Sequence, residues 1–351
     1  MASSIEIQSF PINDLPELVL VQIFSYLTID ERPALEETCK LWYNLLRNSP
    51  QLAFTSIVQL HALVEEPVNP NQARLGRVLP RWIRQRSNQT KVAKPIDPRP
   101  YGYIQQYFKR FRHDVRNLSI DIEQHDASCR YVLCQILTLF GPEQCTQGRQ
   151  IRSFRLRFIG HNPLLMQSQD LTQALRTFFH YNALNNRRES LISCDLSGLT
   201  ISLDDDTILT LARNNPYLRQ LNLQDQSLVC ILTPFCMLQL IDTLKELEDL
   251  SLDMVSLCDE FLLMLIGNEE EEEESLGKSA LKHLGIRIRR EEKFSDEIDT
   301  KLWGKLRAKY PHLRMTLNFG LTTPIHRIRA YMKPHLQLPV CSLYEKIRFV
   351  N

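Results

Sequence analysis

A short apolar pattern, written L..L.L, recurs through the second and larger part of this 351-residue chain. It starts at Val115-Arg-Asn-Leu118-Ser-Ile120 and returns at Ile151, Leu191, Leu218, Leu247 and Leu281, with looser versions at Leu313 and Leu343. Successive copies begin 27 to 40 residues apart, and segments of helical periodicity lie between most of them. Each strand-plus-helix unit has apolar faces that it cannot bury alone, so neighbouring units must stack into one continuous core.

The helices between the strands are predicted at 128–140, 171–184, 204–214, 234–244, 259–267 and 295–309. A doubly wound parallel sheet also alternates strands with helices and is the competing architecture. That fold would suggest a nucleotide enzyme if it carried a glycine-rich phosphate turn. The chain has 11 glycines and neither GxGxxG nor GxxxxGK[ST], so the pattern favours a solenoid.

Before the repeats lies a pair of amphipathic segments. Leu15-Pro16 opens a predicted helix that ends near Leu27, and Asn13-Asp14 is expected to cap it. A second predicted helix starts at Pro33, carries Cys39-Lys40-Leu41-Trp42 in its middle, and is broken by Asn48-Ser49-Pro50. About 40 residues are too few to bury a core of their own, so another surface should cover these apolar side chains.

The stretch from Leu15 to Phe54 resembles the F-box, in the order LP…L..I..L…CK.W..L…P.L. It departs from the usual pattern at Thr38, where the family commonly has Val, and at Phe54, where it commonly has Trp. The resemblance implies docking on a Skp-type adaptor, which would tie the chain to cullin and RING subunits. The residues implied in adaptor binding are Leu15, Pro16, Leu20, Ile23, Phe24, Leu27, Leu35, Cys39, Lys40, Trp42, Leu46, Leu52 and Phe54.

The sequence divides into three predicted parts: an F-box at 1–56, a Pro/Arg-rich connector at 57–102, and a leucine-rich-repeat-like solenoid at 103–351. The basic residues of the connector are typical of a solvated helix face, although they could contact nucleic acid or a phosphorylated partner. The predicted fold class is therefore α/β, with a three-helix F-box followed by a curved solenoid that contains a parallel sheet. This organisation resembles the F-box substrate receptors of cullin–RING ligases, most closely the F-box-only type with divergent repeats.

The resemblance implies a substrate-recognition subunit of an SCF-type (Skp–cullin–F-box) ubiquitin ligase, with an unknown protein client. The alternative is a repeat scaffold or inhibitor that acts independently of the ligase and whose F-box-like segment packs only on its own repeats. A client would contact the strand face whose side chains alternate with the buried ones. The candidates are Arg155, Arg157, Asp195, Asn222, Asp249, Arg287, Arg289 and Arg348, with Ser119, Asp121 and Ser251 on the same face.

The sequence carries no pattern typical of catalysis or of a cofactor or metal site. It has no HExxH, no GxSxG and, among its nine cysteines, no CxxC. Asp204-Asp205-Asp206 is better explained as a helix cap than as a metal cluster. The run Glu269 to Glu274 is interpreted as a solvated loop, and the alternative is that it recognises a basic partner. We therefore expect a non-catalytic protein without cofactors.

The net charge and the length of the apolar stretches limit which partners and which cellular compartments are compatible with the sequence. The net charge is +1, from 42 basic and 41 acidic residues, so no overall field attracts nucleic acid or an anionic membrane. No basic leader with an apolar run begins the sequence, and no stretch reaches the roughly 18 apolar residues of a membrane span. These observations predict a cytoplasmic or nuclear location, or both.

Overall fold

The computed structural model describes residues 11–60, 99–122, 127–141, 151–158, 168–181, 191–199, 203–224, 232–253, 259–267, 280–288, 300–320 and 344–350. The helices in these ranges are α1 Glu17–Phe24, α2 Arg32–Glu36, α3 Lys40–Asn48, α4 Arg99–Phe111, α5 Ala127–Thr138, α6 Gln169–Tyr181, α7 Asp205–Asn214, α8 Pro234–Thr243, α9 Asp259–Ile266 and α10 Thr300–Lys309. The strands are β1 Thr55–Leu60, β2 Asn117–Ile122, β3 Ser153–Phe158, β4 Ser193–Asp195, β5 Gln220–Asn222, β6 Asp249–Asp253, β7 His283–Ile288, β8 Arg314–Gly320 and β9 Tyr344–Val350.

The described strands form one sheet in which β1 to β9 follow each other in chain order and every neighbouring pair is parallel. A doubly wound sheet reverses its strand order at a switch point, and this sheet does not. Buried and half-buried residues alternate along β1, β2 and β3, so one face packs on the helices and the other is open. The predicted solenoid-like α/β fold is confirmed.

The register of the sheet aligns the repeated pattern from strand to strand. The fourth pattern position forms one continuous apolar row across six strands, and all its members are at least 98% buried: Leu118, Phe154, Cys194, Leu221, Leu250 and Leu284. Because each unit buries this position against its neighbours on both sides, the core grows by stacking, as the repeat spacing predicts.

Strand β1 is an additional repeat unit that the sequence did not reveal. Its register with β2 places Ala53, Ser56 and Val58 where the L..L.L pattern stands in the other units, and all three are fully buried. The hydroxyl of Ser56 donates a hydrogen bond to the carbonyl of Ala53 at 3.1 Å, which satisfies it inside the core. The sheet thus starts at Thr55, ahead of the predicted solenoid boundary at 103. Most of the predicted connector, 61–98, lies outside the described residues.

Side chains link the amino termini of neighbouring helices. Asp204 caps α7 by accepting hydrogen bonds from the backbone and hydroxyl of Thr207, at 2.9 and 2.6 Å, as predicted for the aspartate triplet. Asp205 accepts from the backbone and hydroxyl of Thr233, the residue that caps α8. The acidic triplet is therefore used for capping and for joining adjacent units.

The N-terminal region has the three predicted helices, but the second amphipathic segment is interrupted. Helix α2 ends at Glu36, the hydroxyl of Thr38 donates to the carbonyl of Leu35 at 2.7 Å, and Cys39 is extended before α3 starts at Lys40. The Thr38 hydroxyl occupies a carbonyl at the end of α2, a bond that competes with continuing the helix. The prediction that Cys39 lies within one continuous helix is therefore wrong.

The described residues contain no helix long and apolar enough to cross a membrane. Within the same ranges, no group of three or more His, Cys, Asp or Glu side chains is arranged to hold a metal ion. No disulfide joins the cysteines that the structure describes, which are Cys39, Cys129, Cys134, Cys194 and Cys236. Burial raises the pKa of Cys134 to about 11 and that of Cys194 well above its ordinary value, so both thiols stay protonated at neutral pH.

Candidate protein-interaction surfaces

The three N-terminal helices enclose a small apolar core of their own. Leu20 and Phe24 on α1 meet Leu45 and Leu46 on α3, and Leu52 closes the cluster from the 3-10 turn at Pro50–Ala53. The ring of Trp42 packs edge-on against Phe24, with 5.1 Å between the ring centroids. Trp42 Nε1 also donates a hydrogen bond to Asn13 Oδ1 at 2.9 Å. Asn13 therefore anchors Trp42 and does not cap α1, whose N-cap, Pro16, makes no side-chain bond.

The structure divides the predicted adaptor-binding residues into three groups. Leu20, Phe24, Leu46 and Leu52 are buried in the small core. Half-buried positions around it are Leu15, Leu27, Leu35, Cys39 and Trp42. The exposed positions are Pro16, Ile23, Lys40 and Phe54. The first group holds the helices together, so only the other two groups have surface that a partner could contact.

Helix α1 carries a second apolar stripe that faces away from this core. Val19 and Ile23 lie on α1 at helical spacing with Leu18 beside them, and Tyr26 extends the stripe from the turn that follows the helix. Leu18 is 78% exposed and Tyr26 76%, while Val19 and Ile23 are about 40% exposed. We call these four residues the outer stripe. The signal in the sequence is the unbroken apolar run Leu18 to Val21, which supplies both faces of one helix.

A buried arginine joins the three N-terminal helices to the first helix of the solenoid. Arg32 on α2 has 0% exposure, and its Nη1 donates a 2.7 Å hydrogen bond to the hydroxyl of Tyr107 on α4. Nη2 donates more weakly to the carbonyls of Leu27 and Leu52, at 3.4 and 3.3 Å. The guanidinium carbon also lies 5.0 Å from the centroid of the Tyr107 ring, where the face of the ring attracts a cation.

A second polar contact lies beside this arginine. Glu36 at the end of α2 accepts hydrogen bonds from Arg47 Nε at 2.9 Å and from the Tyr103 hydroxyl at 2.5 Å. Burial and the hydrogen bond to Glu36 raise the pKa of Tyr103 above its ordinary value. The Tyr103 hydroxyl therefore stays protonated and donates to the carboxylate throughout the physiological range.

The N-terminal domain also covers the free edge of strand β1. The backbone N–H of Ile29 donates to the carbonyl of Ile57 at 2.8 Å, and Asp30 Oδ1 accepts from the backbone N–H of Gln59 at 3.4 Å. On the other side of the junction, the carbonyl of Phe54 accepts from the N–H groups of Arg116 and Asn117. Phe54 thus lies where the N-terminal helical region meets the sheet.

On the open sheet face, the predicted client-binding arginines are partly occupied within the chain. Arg157 donates to both carboxylate oxygens of Asp121, from Nε at 3.0 Å and from Nη2 at 3.1 Å. Arg155 lies between Asp121 and Asp195, with its Nε 3.9 Å from an oxygen of each, too far for a hydrogen bond. These four side chains form a charge-balanced group.

The remaining predicted client-binding positions have mixed environments. Asp195 and Asn222 accept hydrogen bonds from the backbone N–H groups of Ser197 and Gln224, so both shape the turns after their strands. Asp249 accepts from Gln220 Nε2 at 3.1 Å. The backbones of Arg287 and Arg348 lie in β7 and β9, and Arg289 lies outside the described residues. The Glu269 to Glu274 run is also outside them.

A protein-family model described as F-box-like matches residues 12–54, the range that contains α1 to α3 and the small core. Together with the sequential parallel sheet, this match defines the class of the molecule: an F-box-like domain followed by leucine-rich-repeat-like units. The resemblance that the sequence suggested is confirmed at this level. F-box domains in general bind Skp-type adaptors of cullin ligases.

The comparison with curated proteins agrees with this class. The chain is similar to human F-box/LRR-repeat protein 8, at 23% identity over 334 residues that cover 95% of this chain and 74% of the relative. It is likewise similar to the Bos taurus F-box/LRR-repeat protein 8, at 25% identity over the same shares of both chains. The similarity therefore spans both the F-box-like domain and the repeats.

Proposed function

We propose that this chain is the substrate-recognition subunit of an SCF-type ubiquitin ligase. In this role the F-box-like domain binds a Skp-type adaptor, which links the chain to cullin and RING subunits. The open face of the repeats then presents a protein client for ubiquitination. The chain itself acts without a cofactor and without catalytic groups, because the ligase and its partner enzymes supply the chemistry.

The outer stripe is the observation that carries this proposal. Leu18, Val19, Ile23 and Tyr26 leave a short helix apolar on both sides, and no other described part of the chain covers the outward side. Fully burying a large apolar side chain is worth about 1.5–3 kcal/mol. A contiguous exposed patch of this kind is typical of a protein-interaction site. A helical adaptor surface that covers the stripe would gain that energy.

The contacts between the two domains support the same role. Arg32, Glu36 and Ile29 fasten the F-box-like helices to α4 and β1 through side-chain and backbone bonds. An adaptor on α1 and a client on the sheet would therefore be held at a fixed separation. Such a fixed geometry suits a receptor that must present its client to a ubiquitin-transferring enzyme.

The alternative function is a repeat scaffold or inhibitor that acts outside the ligase. The Arg32–Tyr107 hydrogen bond is consistent with this alternative, because it shows that the F-box-like domain packs on its own repeats. That contact uses α2, however, and leaves the outer stripe of α1 exposed. The two functions therefore differ in one measurable property, which is whether α1 recruits a Skp-type adaptor.

Co-purification of the full chain with adaptor and cullin tests the proposal. The double variant Leu18→Lys, Tyr26→Lys should lose both partners, since it places two cations on the outer stripe. Its matched control is Tyr131→Lys, Phe235→Lys, which alters two aromatic residues of similar exposure, 63% and 64%, on solenoid helices. Recovery of adaptor and cullin by the control but not by the stripe variant supports the receptor function. If the unaltered chain recovers neither, the scaffold function is the better account.

Point variants are preferable to a shortened chain in this experiment. A chain that begins at Ile57 would lose Ala53 and Ser56 from the core of the first unit, together with the buried Arg32. Loss of binding could then result from unfolding. The proposed role also implies a cytoplasmic or nuclear location, which microscopy of the tagged full chain would test.

A further inference from the structure

The amino-terminal edge of the sheet concentrates positive charge in a chain that is nearly neutral overall. Arg116, Arg152, Arg219 and Lys282 immediately precede strands β2, β3, β5 and β7, and Arg314 is the first residue of β8. By the strand register, Arg116, Arg152, Arg219 and Lys282 fall in one row along this edge, with Ile192 and Glu248 at the same position before β4 and β6. Arg314 lies one position further along, opposite His283. We call these five residues the basic edge. Two carboxylates, Glu248 and Asp249, interrupt it.

Most of the basic edge is accessible. Arg152, Arg219, Lys282 and Arg314 are exposed, and Lys282 retains 68% of its side-chain surface. Glu248 is shared between two of the cations, with 2.7 Å from its Oε2 to Lys282 Nζ and 3.7 Å from its Oε1 to Arg219 Nη1. One carboxylate therefore neutralises only part of the charge around it.

The rest of the open face contrasts with this edge. Arg155 and Arg157 are matched in number by Asp121 and Asp195, and Arg157 is held by a two-point hydrogen bond. These groups contribute shape and polarity but no net charge. Among the described side chains of the sheet, cations outnumber carboxylates along the basic edge, a region that the L..L.L pattern did not mark out.

We propose that the basic edge binds an acidic, extended segment of a protein client. Arg152 lies just before β3 and Arg314 at the start of β8, and these strands are separated by five strand-to-strand spacings, or about 24 Å. An extended peptide covers that distance with about seven residues. Carboxylates along such a segment can pair with successive cations of the edge. Glu248 and Asp249 would repel a ligand that carried negative charge without interruption, such as a nucleic-acid backbone. This inference rests on the proposed receptor function and names the chemistry of its client.

Fluorescence anisotropy of the purified full chain with labelled synthetic peptides tests the inference. The probes are three peptides of about 12 residues that alternate Ser with Glu, Gln or Lys. The Glu-Ser peptide should bind, and the other two should not. Its affinity should fall as salt is raised from about 0.05 to about 0.5 M, because exposed ion pairs are screened.

Two variants with opposite expected effects make the test specific. Neutralising the edge with Arg152→Gln, Arg219→Gln and Lys282→Gln should weaken Glu-Ser binding by about tenfold. Replacing Glu248→Gln should instead strengthen it about two- to threefold, because the two cations lose their internal partner. The matched control, Lys109→Gln, Arg213→Gln and Lys245→Gln, removes the same charge from helices and loops and should leave the affinity unchanged.

Several outcomes would overturn the inference. These are equal binding of the Glu-Ser and Gln-Ser peptides, equal loss in the edge and control triples, or no binding by any peptide. A single-stranded oligonucleotide that binds more tightly than the Glu-Ser peptide would also overturn it, since the edge would then be a nucleic-acid surface. Adaptor capture is measured on the same edge triple and should be retained. Failure of adaptor capture in the unaltered chain would count against the receptor function alone.

Discussion

Arg32 and Tyr107 are 75 residues apart in the sequence, and a 2.7 Å hydrogen bond from Arg32 Nη1 to the Tyr107 hydroxyl joins them in the buried junction between the two domains. The guanidinium is fully buried, and its Nε has no hydrogen-bond partner among the described residues. Its hydrogen-bond acceptors there are all neutral: a phenol and two carbonyls. The buried cation therefore depends strongly on each of these contacts.

The first prediction follows from that dependence. Replacing Tyr107→Phe should lower the free energy of unfolding by about 1.5–3 kcal/mol, the range for a hydrogen bond to a charged group. Urea unfolding followed by circular dichroism measures the effect. Tyr131→Phe, which alters an exposed tyrosine on α5, is the control and should have no effect. Equal stability of Tyr107→Phe and the unaltered chain would contradict the role given to this bond.

The second prediction concerns alkaline pH and Tyr103. Burial and the hydrogen bond to Glu36 raise the pKa of Tyr103, and burial also raises that of Tyr107. In the unfolded chain a tyrosine loses its proton near pH 10, while in the folded chain it retains the proton to higher pH. The contribution of these two tyrosines to the free energy of unfolding is therefore fully present below about pH 10. Above that pH the free energy of unfolding falls by up to about 1.4 kcal/mol per pH unit for each such group.

Urea midpoints measured from about pH 9 to about pH 11 test this expectation. The variant Tyr103→Phe should show a shallower decline than the unaltered chain, because it removes one of the two groups. Tyr26→Phe should follow the unaltered chain, since Tyr26 is 76% exposed. A decline that Tyr103→Phe leaves unchanged would show that other groups control alkaline unfolding.

The third prediction separates the two roles of Asp204, which caps helix α7 and forms an ion pair with Arg176. Burial tends to raise the pKa of Asp204, but hydrogen bonds from Thr207 and the ion pair with Arg176 outweigh it and lower the pKa. Its contribution to stability is therefore present above about pH 4 and is lost as the pH falls below that value. Asp204→Asn keeps a capping oxygen and should cost little. Asp204→Ala removes the cap and should cost about 1 kcal/mol in thermal or urea unfolding at neutral pH.

The fourth prediction distinguishes the two faces of α1. Leu20→Ala creates a cavity in the small core and should lower the free energy of unfolding by about 2–5 kcal/mol. Leu18→Ala alters an exposed side chain and should leave stability within about 0.5 kcal/mol. If the outer stripe binds the adaptor, Leu18→Ala should weaken adaptor binding in a titration with purified adaptor. A stability loss in Leu18→Ala as large as that in Leu20→Ala would show that the two faces were assigned wrongly.

The sequence predicted the later strands because their pattern residues are large and apolar. Leu118 and Leu250, for example, stand at the same position of the pattern and pair into the same buried row. Strand β1 was missed because Ala53 and Ser56 occupy those positions. A small or hydroxylated side chain can be buried in a sheet, yet it leaves no hydrophobic signal in the sequence.

The surfaces were harder to predict than the elements. The interruption at Cys39 depends on a hydroxyl-to-carbonyl bond at the end of α2, and helical spacing alone cannot show it. The outer stripe was not predicted, because Val19 and Leu20 are adjacent apolar residues and only the packing shows which of them faces inward. The burial of Arg32 was also not predictable, since an isolated arginine is usually exposed.

The bonds from Ile29 and Asp30 to strand β1 have a consequence for shortened forms of the chain. An uncovered parallel edge offers unpaired N–H and C=O groups to any other strand, and proteins protect such edges against aggregation. Here the domain that would attach the chain to the ligase is also the cover of that edge. A fragment without the F-box-like domain should therefore self-associate, and it would not persist as a free competitor that holds clients away from the ligase.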